Sequence, residues 1–374
     1  MRHFTILLAC LLVGVTVSSA LAAGYVTSIG TGEDKITVVV VSGTPYEMGY
    51  SYGQLMAAEV KACMGRFLAD AQKGDPRATN ENLDQAWAAV RPYVRMRFVE
   101  EMKGLAAGAG ISYDDLRRAH CISLVGDYSC SGVAVWGPAS ANGHLYQIRN
   151  LDWSTDLGLQ DHPVITVYFP KEGVPHANVA FAGMIGSHCG LNAEGIALTE
   201  KGGTPSADYP FDLRGVPFFV MFRDILQDAR SLEDARRIVT ESRRHKKYHF
   251  VIGDGDLPGA VKVRAFTPGL DIWTDQDSTD EVAPKVMPNV VYVTMHNDIA
   301  YQHLQDNFGK YDPERMIDLS RKVGTEGALT YVVFDATARE MWVAYAHGPQ
   351  PAKDRPYVHF RLADYQPPGA GQGQ

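Results

Sequence analysis

Tyr128-Ser129-Cys130-Ser131-Gly132-Val133-Ala134-Val135-Trp136, followed by Asn142-Gly143-His144-Leu145-Tyr146-Gln147-Ile148-Arg149-Asn150-Leu151-Asp152-Trp153, decides how this chain folds. Residues 132–136 and 144–151 read as two strands, each rich in apolar and aromatic residues. Asn142-Gly143 between them is a strong hairpin signal, because a type I′ turn needs positive φ at both central positions. Folded about that turn, the second strand returns along the first. Cys130 is then expected opposite a residue between 152 and 155, to within a few residues of register. A thiol, an arginine (Arg149) and a carboxylate (Asp152) converge at one strand end.

Upstream, 36–42 (ITVVVVS) is a β-branched run expected as a buried strand. Thr44, Pro45 and Glu47 then form a helix start, with Thr44 as cap, Pro45 at the first position and Glu47 closing a capping box. The helix is predicted over 48–68 despite Gly49 and Gly53. Those glycines cost helix stability and mark a place where another backbone or a substrate comes close. Further helix is predicted over 83–105 and 113–120. Downstream, strands are expected at 164–169, 178–182 and 196–199. Helices at 216–227 and 231–241 follow, the second capped by Ser231 with Asp234 three residues on. Strands resume at 248–252, 261–265 and 290–293. A helix at 313–323 precedes a strand pair, 329–334 and 341–346, across Asp335-Ala336-Thr337. The strands fall into two groups with helix pairs between them and no internal repeat, which predicts a layered α+β fold with stacked antiparallel sheets.

Composition narrows the function classes. The 374 residues are 45% hydrophobic and 21% charged, as in ordinary folded enzymes, and fit one large domain or two small ones. A formal net charge of -8 without a long basic run argues against nucleic acid as a partner. Arg2 and His3, the apolar run 5–17 and Ser18-Ser19-Ala20-Leu21-Ala22 read as a secretory signal peptide over 1–22, cut after Ala22. The expected location is therefore periplasmic or secreted. The run is too short to span a bilayer, so no membrane span is expected, and it is also too short ahead of Leu8-Ala9-Cys10 for a lipid-attachment box. The Pro/Gly/Gln-rich end, 367–374, reads as a disordered tail.

The mature cysteines are Cys63, Cys121, Cys130 and Cys189. In an oxidising compartment they leave open two disulfides, or one disulfide and a catalytic thiol. A thiol attacks as the thiolate and needs a base or a positive neighbour. Arg149 supplies charge, and Asp152 can orient an amine or the arginine. No histidine is near Cys130 in sequence. If the peptide bond before Cys130 breaks, the freed α-amine, with an ordinary pKa of about 7.7–8.0, becomes a suitable base. The plainer readings are a structural Cys130 or its disulfide with Cys121 or Cys189, and a simple Arg149–Asp152 salt bridge. Cys189 follows His188, but such neighbours face opposite sides of a strand. His245 and His249 lack the zinc-protease pattern and a third ligand. His296 either lines a pocket or is a satisfied loop histidine. The basic cluster 243–247 reads as a solvated helix end. No metal or cofactor is called for.

Ser129-Cys130 at a strand start, the Asn-Gly turn and Arg149-Asn-Leu-Asp152-Trp resemble the penicillin acyltransferase (isopenicillin-N acyltransferase) family. The Arg-x-x-Asp-aromatic pattern is also similar to that of choloylglycine hydrolases. Gly43-Thr-Pro-Tyr-Glu-Met-Gly-Tyr-Ser-Tyr-Gly53, Gly190-Leu-Asn-Ala-Glu-Gly-Ile-Ala-Leu198 and Tyr248-His-Phe-Val-Ile-Gly-Asp254 extend the likeness over most of 36–260. The resemblance implies the four-layer αββα sandwich of N-terminal-nucleophile hydrolases. It implies self-cleavage between Ser129 and Cys130, with 23–129 and 130–366 remaining one domain. It implies a thioester on Cys130, Arg149 beside the thiolate and Asp152 holding the new amine. The implied reaction cleaves a linear C–N bond other than an ordinary peptide bond, or transfers an acyl group, and the partner is a small-molecule amide or acyl substrate. One departure stands out. Choloylglycine hydrolases place an oxyanion-hole Asn where this chain has Thr199-Glu200-Lys201-Gly202-Gly203, so no oxyanion residue is assigned; Asn192 reads as a turn residue. The rival readings are a non-catalytic binding protein that keeps the fold, and a conventional cysteine peptidase with a Cys–His pair.

Overall fold

The computed structural model describes residues 24–126, 128–203 and 212–369. The signal peptide expected over 1–22 and the tail beyond Gly369 lie outside them. The chain opens with an antiparallel pair, β1 (Gly24–Ile29) and β2 (Ile36–Gly43). A helical block follows: α1 (Pro45–Leu55), α2 (Ala57–Gly74), α3 (Asn80–Val90), α4 (Met96–Ala109) and α5 (Tyr113–Val125). Next come β3 (Ser129–Gly137), β4 (Gly143–Asp152), β5 (Pro163–Pro170), β6 (His176–Phe181), β7 (Cys189–Asn192) and β8 (Ile196–Gly202). The helices α6 (Phe218–Asp228) and α7 (Leu232–Glu241) lead to β9 (Tyr248–Asp254), β10 (Gly259–Ala265), β11 (Leu270–Trp273) and β12 (Val290–Val293). The chain closes with α8 (Asn297–Asp306), α9 (Pro313–Lys322), β13 (Ala328–Asp335), β14 (Glu340–Tyr345) and β15 (Val358–Arg361).

The strands form two sheets. One runs β1-β2-β5-β6-β7-β8-β9-β10-β11, the other β12-β3-β4-β13-β14-β15. The sheets pack face to face, chiefly β3 and β4 on β8 and β9. Helices α1, α6 and α7 cover the outer face of the larger sheet, and α8 and α9 cover that of the smaller. The result is the four-layer αββα sandwich. The β2 strand illustrates why the core sits here: Val38, Val39, Val40 and Val41 are all fully buried, so both faces of the strand are covered. Each such side chain contributes about 1.5–3 kcal/mol by leaving water. The expected all-antiparallel pairing fails at one place, because β2 and β5 are parallel. The five helices and the β3–β4 hairpin between them supply the long crossover that a parallel neighbour requires.

Several boundaries move for local reasons. The helix expected over 48–68 begins at Pro45, with the Thr44–Glu47 capping box formed, and breaks at Met56. The helix expected over 83–105 is split by Arg91-Pro92-Tyr93, since a proline cannot donate the helical hydrogen bond. The one expected to stop at 120 continues to Val125. The strands β1, β11 and β15 and the helix α8 carried no strong pattern; β1, β11 and β15 lie at or beside sheet edges and stay partly exposed. Gly49 in α1 lies against α4, where a Cβ would collide with the Glu101 carbonyl, and Gly104 in α4 returns the contact to the Tyr46 carbonyl. The glycines serve a backbone-to-backbone helix contact.

Candidate active site

The β3–β4 ladder sets the site. Its register pairs Ser129 with Asp152, Cys130 with Leu151 and Gly132 with Arg149. Cys130 thus lies one residue short of the expected window, opposite Leu151. The turn explains the offset. Strand pairing closes at Gly137–Gly143 with a register shift after Val135, so residues 138–142 form the connection. Pro138 cannot extend the ladder as a donor.

Cys130, Arg149 and Glu200 are all essentially buried. The Cys130 Sγ lies 3.8 Å from Glu200 Oε2, and an Arg149 guanidinium nitrogen is also 3.8 Å from that oxygen. Tyr128 donates its hydroxyl to Glu200 Oε1 at 3.0 Å. Asp152 accepts the Tyr331 hydroxyl at 2.8 Å, and the Tyr331 oxygen accepts the Thr325 N–H at 3.0 Å. Asp152 Oδ2, the Ser129 and Ser131 hydroxyls and two Arg149 nitrogens have no hydrogen-bond partner. Buried polar atoms are normally satisfied, so this concentration of idle donors and acceptors marks a place set up for a ligand or a reaction.

Three plain readings of the sequence give way. The four cysteines among the described residues are free, so Cys130 is not bridged to Cys121 or Cys189. Arg149 takes Glu200 as its ion-pair partner and Asp152 takes Tyr331, so the two do not form a simple salt bridge. The 243–247 cluster is not a solvated helix end: α7 stops at Glu241, and buried Lys246 donates to the Gly126 carbonyl at 3.0 Å. Among the described residues no histidine hydrogen-bonds Cys130. His188 packs its ring against Phe218 at 5.0 Å, and the Cys189 thiol is aimed at the Val179 carbonyl. His296 is an exposed residue at the start of α8. Asn192 behaves as the turn residue expected: its amide oxygen accepts the N–H groups of Glu194 and Ile196.

Burial governs the electrostatics. It pushes the Cys130 thiol up, with Arg149 opposing and Glu200 and Asp152 adding to the rise. It lifts Glu200 up to about 7 although Arg149 and Tyr128 pull it down. Asp152 is raised too, again chiefly by burial. With the peptide bond before Cys130 intact, the thiol is protonated and a carboxylate that titrates near neutrality stands beside it. A cleft of about 500 Å³ is lined by Asp152 and by Tyr128, the hydrogen-bond partner of Glu200, together with Ile122, Trp153, Leu157 and Asp75. The Tyr128 and Trp153 rings lie 5.1 Å apart along it.

Glu200 escaped the reading of the sequence. Its strand was expected to stop at Thr199, whereas β8 runs to Gly202. A carboxylate continuing an apolar strand was the available signal, because an ionisable side chain held inside a core needs a partner or a purpose.

Residues 139–320 match the sequence pattern of the family described as acyl-coenzyme A:6-aminopenicillanic acid acyl-transferase. The resemblance to the penicillin acyltransferase family holds. The matched segment carries Arg149, Asp152 and Glu200 and begins nine residues after Cys130. Among full-length relatives, protein dcd1B of Dictyostelium discoideum is 25% identical over 309 residues, covering 74% of this chain and 60% of its own length. The chain therefore spans less than two thirds of that relative. Protein dcd1A of the same organism is 24% identical over 88% of this chain and 83% of itself. Among solved structures, a Caenorhabditis elegans N-acylethanolamine-hydrolyzing acid amidase ortholog is similar at 12% identity and a TM-score of 0.43, over 56% of this chain and 93% of that one.

Proposed function

We propose that this protein is an exported, self-processing cysteine amidohydrolase or acyltransferase that cleaves a linear C–N bond through a thioester on Cys130. The observation that carries the reading is the convergence of Cys130, Arg149 and Glu200 at the start of β3, with Asp152 paired across the ladder to Ser129.

The chemistry follows from the geometry. In the uncleaved chain no α-amine exists at Cys130, so the thiol needs another base. Glu200, 3.8 Å away and ionised in part near pH 7, accepts the proton as Sγ attacks the Ser129 carbonyl carbon. The C–N bond breaks, the nitrogen takes up a proton, and a thioester between Ser129 and Cys130 remains until water cleaves it. Cys130 then begins a chain, and its amine becomes the base. Asp152, facing Ser129 across the ladder with one oxygen idle, holds that amine. Arg149 supports the thiolate by charge. A substrate amide repeats the sequence: Sγ bonds to its carbonyl carbon, the amine leaves with a proton from the Cys130 ammonium, and water or another amine takes the acyl group. Water is the abundant acceptor outside the cell, which favours hydrolysis. The substrate is a small-molecule amide received in the cleft beside Tyr128 and Trp153.

Intact mass and N-terminal sequencing of the purified protein test the reading. The expected result is two associated fragments, one starting Cys130-Ser131-Gly132-Val133. A single chain starting near Ala23 overturns it.

A further inference from the structure

The hydrogen bond that holds Glu200 comes from the far side of the peptide bond at Cys130. Cys130, Arg149 and Glu200 all follow that bond, and Tyr128 precedes it. The Tyr128 hydroxyl donates to Glu200 Oε1 at 3.0 Å, while Oε2 stands 3.8 Å from Cys130 Sγ. The last torsion of a glutamate is broad and roughly two-fold, so an unheld carboxylate turns readily. A bond to one oxygen fixes the carboxylate plane and with it the direction of the other oxygen. Arg149 does not do this, because its approach to Oε2 is 3.8 Å, beyond hydrogen-bond length. Among the described residues, the Tyr128 hydroxyl is the one oxygen or nitrogen donor within hydrogen-bond reach of the Glu200 carboxylate.

Tyr128 is seated by contacts that do not involve Glu200. Its carbonyl rests against β8 at Gly202, where a Cβ would come within 2.8 Å of the oxygen. Gly202 lies two residues beyond Glu200 and so on the same face of the strand. The Tyr128 ring packs at 5.1 Å on Trp153 and edge-on at 6.3 Å against His188. Gly126, just upstream, is held through its carbonyl by Lys246 at 3.0 Å. Burial and the nearby Glu200 charge keep the phenol protonated, so it donates to the carboxylate. Burial lifts Glu200 up to about 7, against the pull of Arg149, the Tyr128 hydrogen bond, Lys246 and Lys201. Cys130 and Cys189 are its neighbours as protonated thiols.

We propose that Tyr128 is a positioning residue for self-cleavage, its hydroxyl aiming the Glu200 carboxylate at the Cys130 thiol. This deepens the reading of Cys130 as a self-cleaving nucleophile and rests on it. The aiming group and the base it aims lie on opposite sides of the bond that breaks. Cutting that bond places them on separate chains, at the moment when the Cys130 amine takes over as base.

The test follows self-cleavage of the full purified chain by mass spectrometry. The chain is held at about pH 5, where Glu200 is protonated, and then shifted to buffers between about pH 6 and 9. The wild-type rate should rise with pH through a midpoint at about 7 as Glu200 ionises. Tyr128→Phe keeps the ring contacts and removes a hydrogen bond that favours the carboxylate. Its midpoint should therefore move up by about one pH unit, with cleavage about tenfold slower below it. On a Glu200→Gln background, Tyr128→Phe should slow cleavage no further. A midpoint unmoved in Tyr128→Phe, including a loss of equal size at every pH, overturns the positioning role and leaves the nucleophile intact. Further loss on the Glu200→Gln background does the same. A wild-type chain that cleaves at no pH overturns the self-cleaving nucleophile and the positioning role with it.

Discussion

Arg223 and Glu101 join α6 to α4 through two parallel hydrogen bonds of 3.0 and 2.9 Å, with the guanidinium stacked 4.0 Å from the Tyr168 ring. Arg149 and Glu200 are as deeply buried, but their closest approach is 3.8 Å, and two of the arginine nitrogens bond to nothing. The first pair bridges two helices, and only the Arg223 Nε is left without a partner. The second stands beside a thiol. Burial lifts Glu200 to titrate near neutrality, the loose contact with Arg149 only partly opposing it, and the arginine stays free to answer a negative charge on sulfur. A buried pair that is held tightly fixes structure; one that is held loosely keeps its charges available.

Substitutions can break this contrast. The largest effect belongs to Cys130→Ala, which should leave a single uncleaved chain without amidase activity; a Cys130→Ala protein that still splits at residue 129 would remove the thiol from the mechanism. Glu101→Ala strands Arg223 in the core and is expected to cost about 3–5 kcal/mol in urea unfolding, while any folded fraction still self-cleaves. Equal loss of cleavage per folded molecule would erase the distinction between the two pairs.

Glu200→Gln sharpens it further. The Glu200 carboxyl is raised from its ordinary 4.5 to about 7 in the folded chain, so above pH 7 the fold carries a buried charge that the unfolded chain keeps in water. Wild-type stability from this group is lowest above pH 7 and recovers as pH falls toward 4.5. The Gln variant lacks that recovery, a difference of about 3 kcal/mol between the two curves. Superimposable pH profiles would deny Glu200 its shifted titration. Self-cleavage of Glu200→Gln should slow as well, read by the rate at which the Cys130 fragment accumulates. The smallest effect is Tyr331→Phe, which removes one hydrogen bond from Asp152 and one acceptor from Thr325. It should cost about 1 kcal/mol and slow turnover modestly; unchanged kinetics would show that Asp152 needs no such support.

Much of this was legible beforehand. The apolar and aromatic runs after Cys130 and around Arg149, with the Asn-Gly signal between them, placed β3 and β4, and the Thr44-Pro45-Glu47 cap placed the first helix. The register of Cys130 was not legible to the residue, because the five-residue connection and the shift beyond Val135 depend on how Pro138 leaves the ladder. The Gly49 and Gly53 pattern announced a close approach, but not that the other party was α4. Glu200 was invisible as a partner of Cys130, being seventy residues away and on the other sheet.

The sequence by itself determined the strand and helix alternation, the sandwich class and the candidates Cys130, Arg149 and Asp152, because periodicity, caps and motif spacing act over short distances along the chain. Only the tertiary structure decided which charges meet. Packing one sheet on the other brought Glu200 to the thiol and gave Asp152 to Tyr331 in place of Arg149. Such meetings depend on the register and twist of two sheets, which no local pattern encodes.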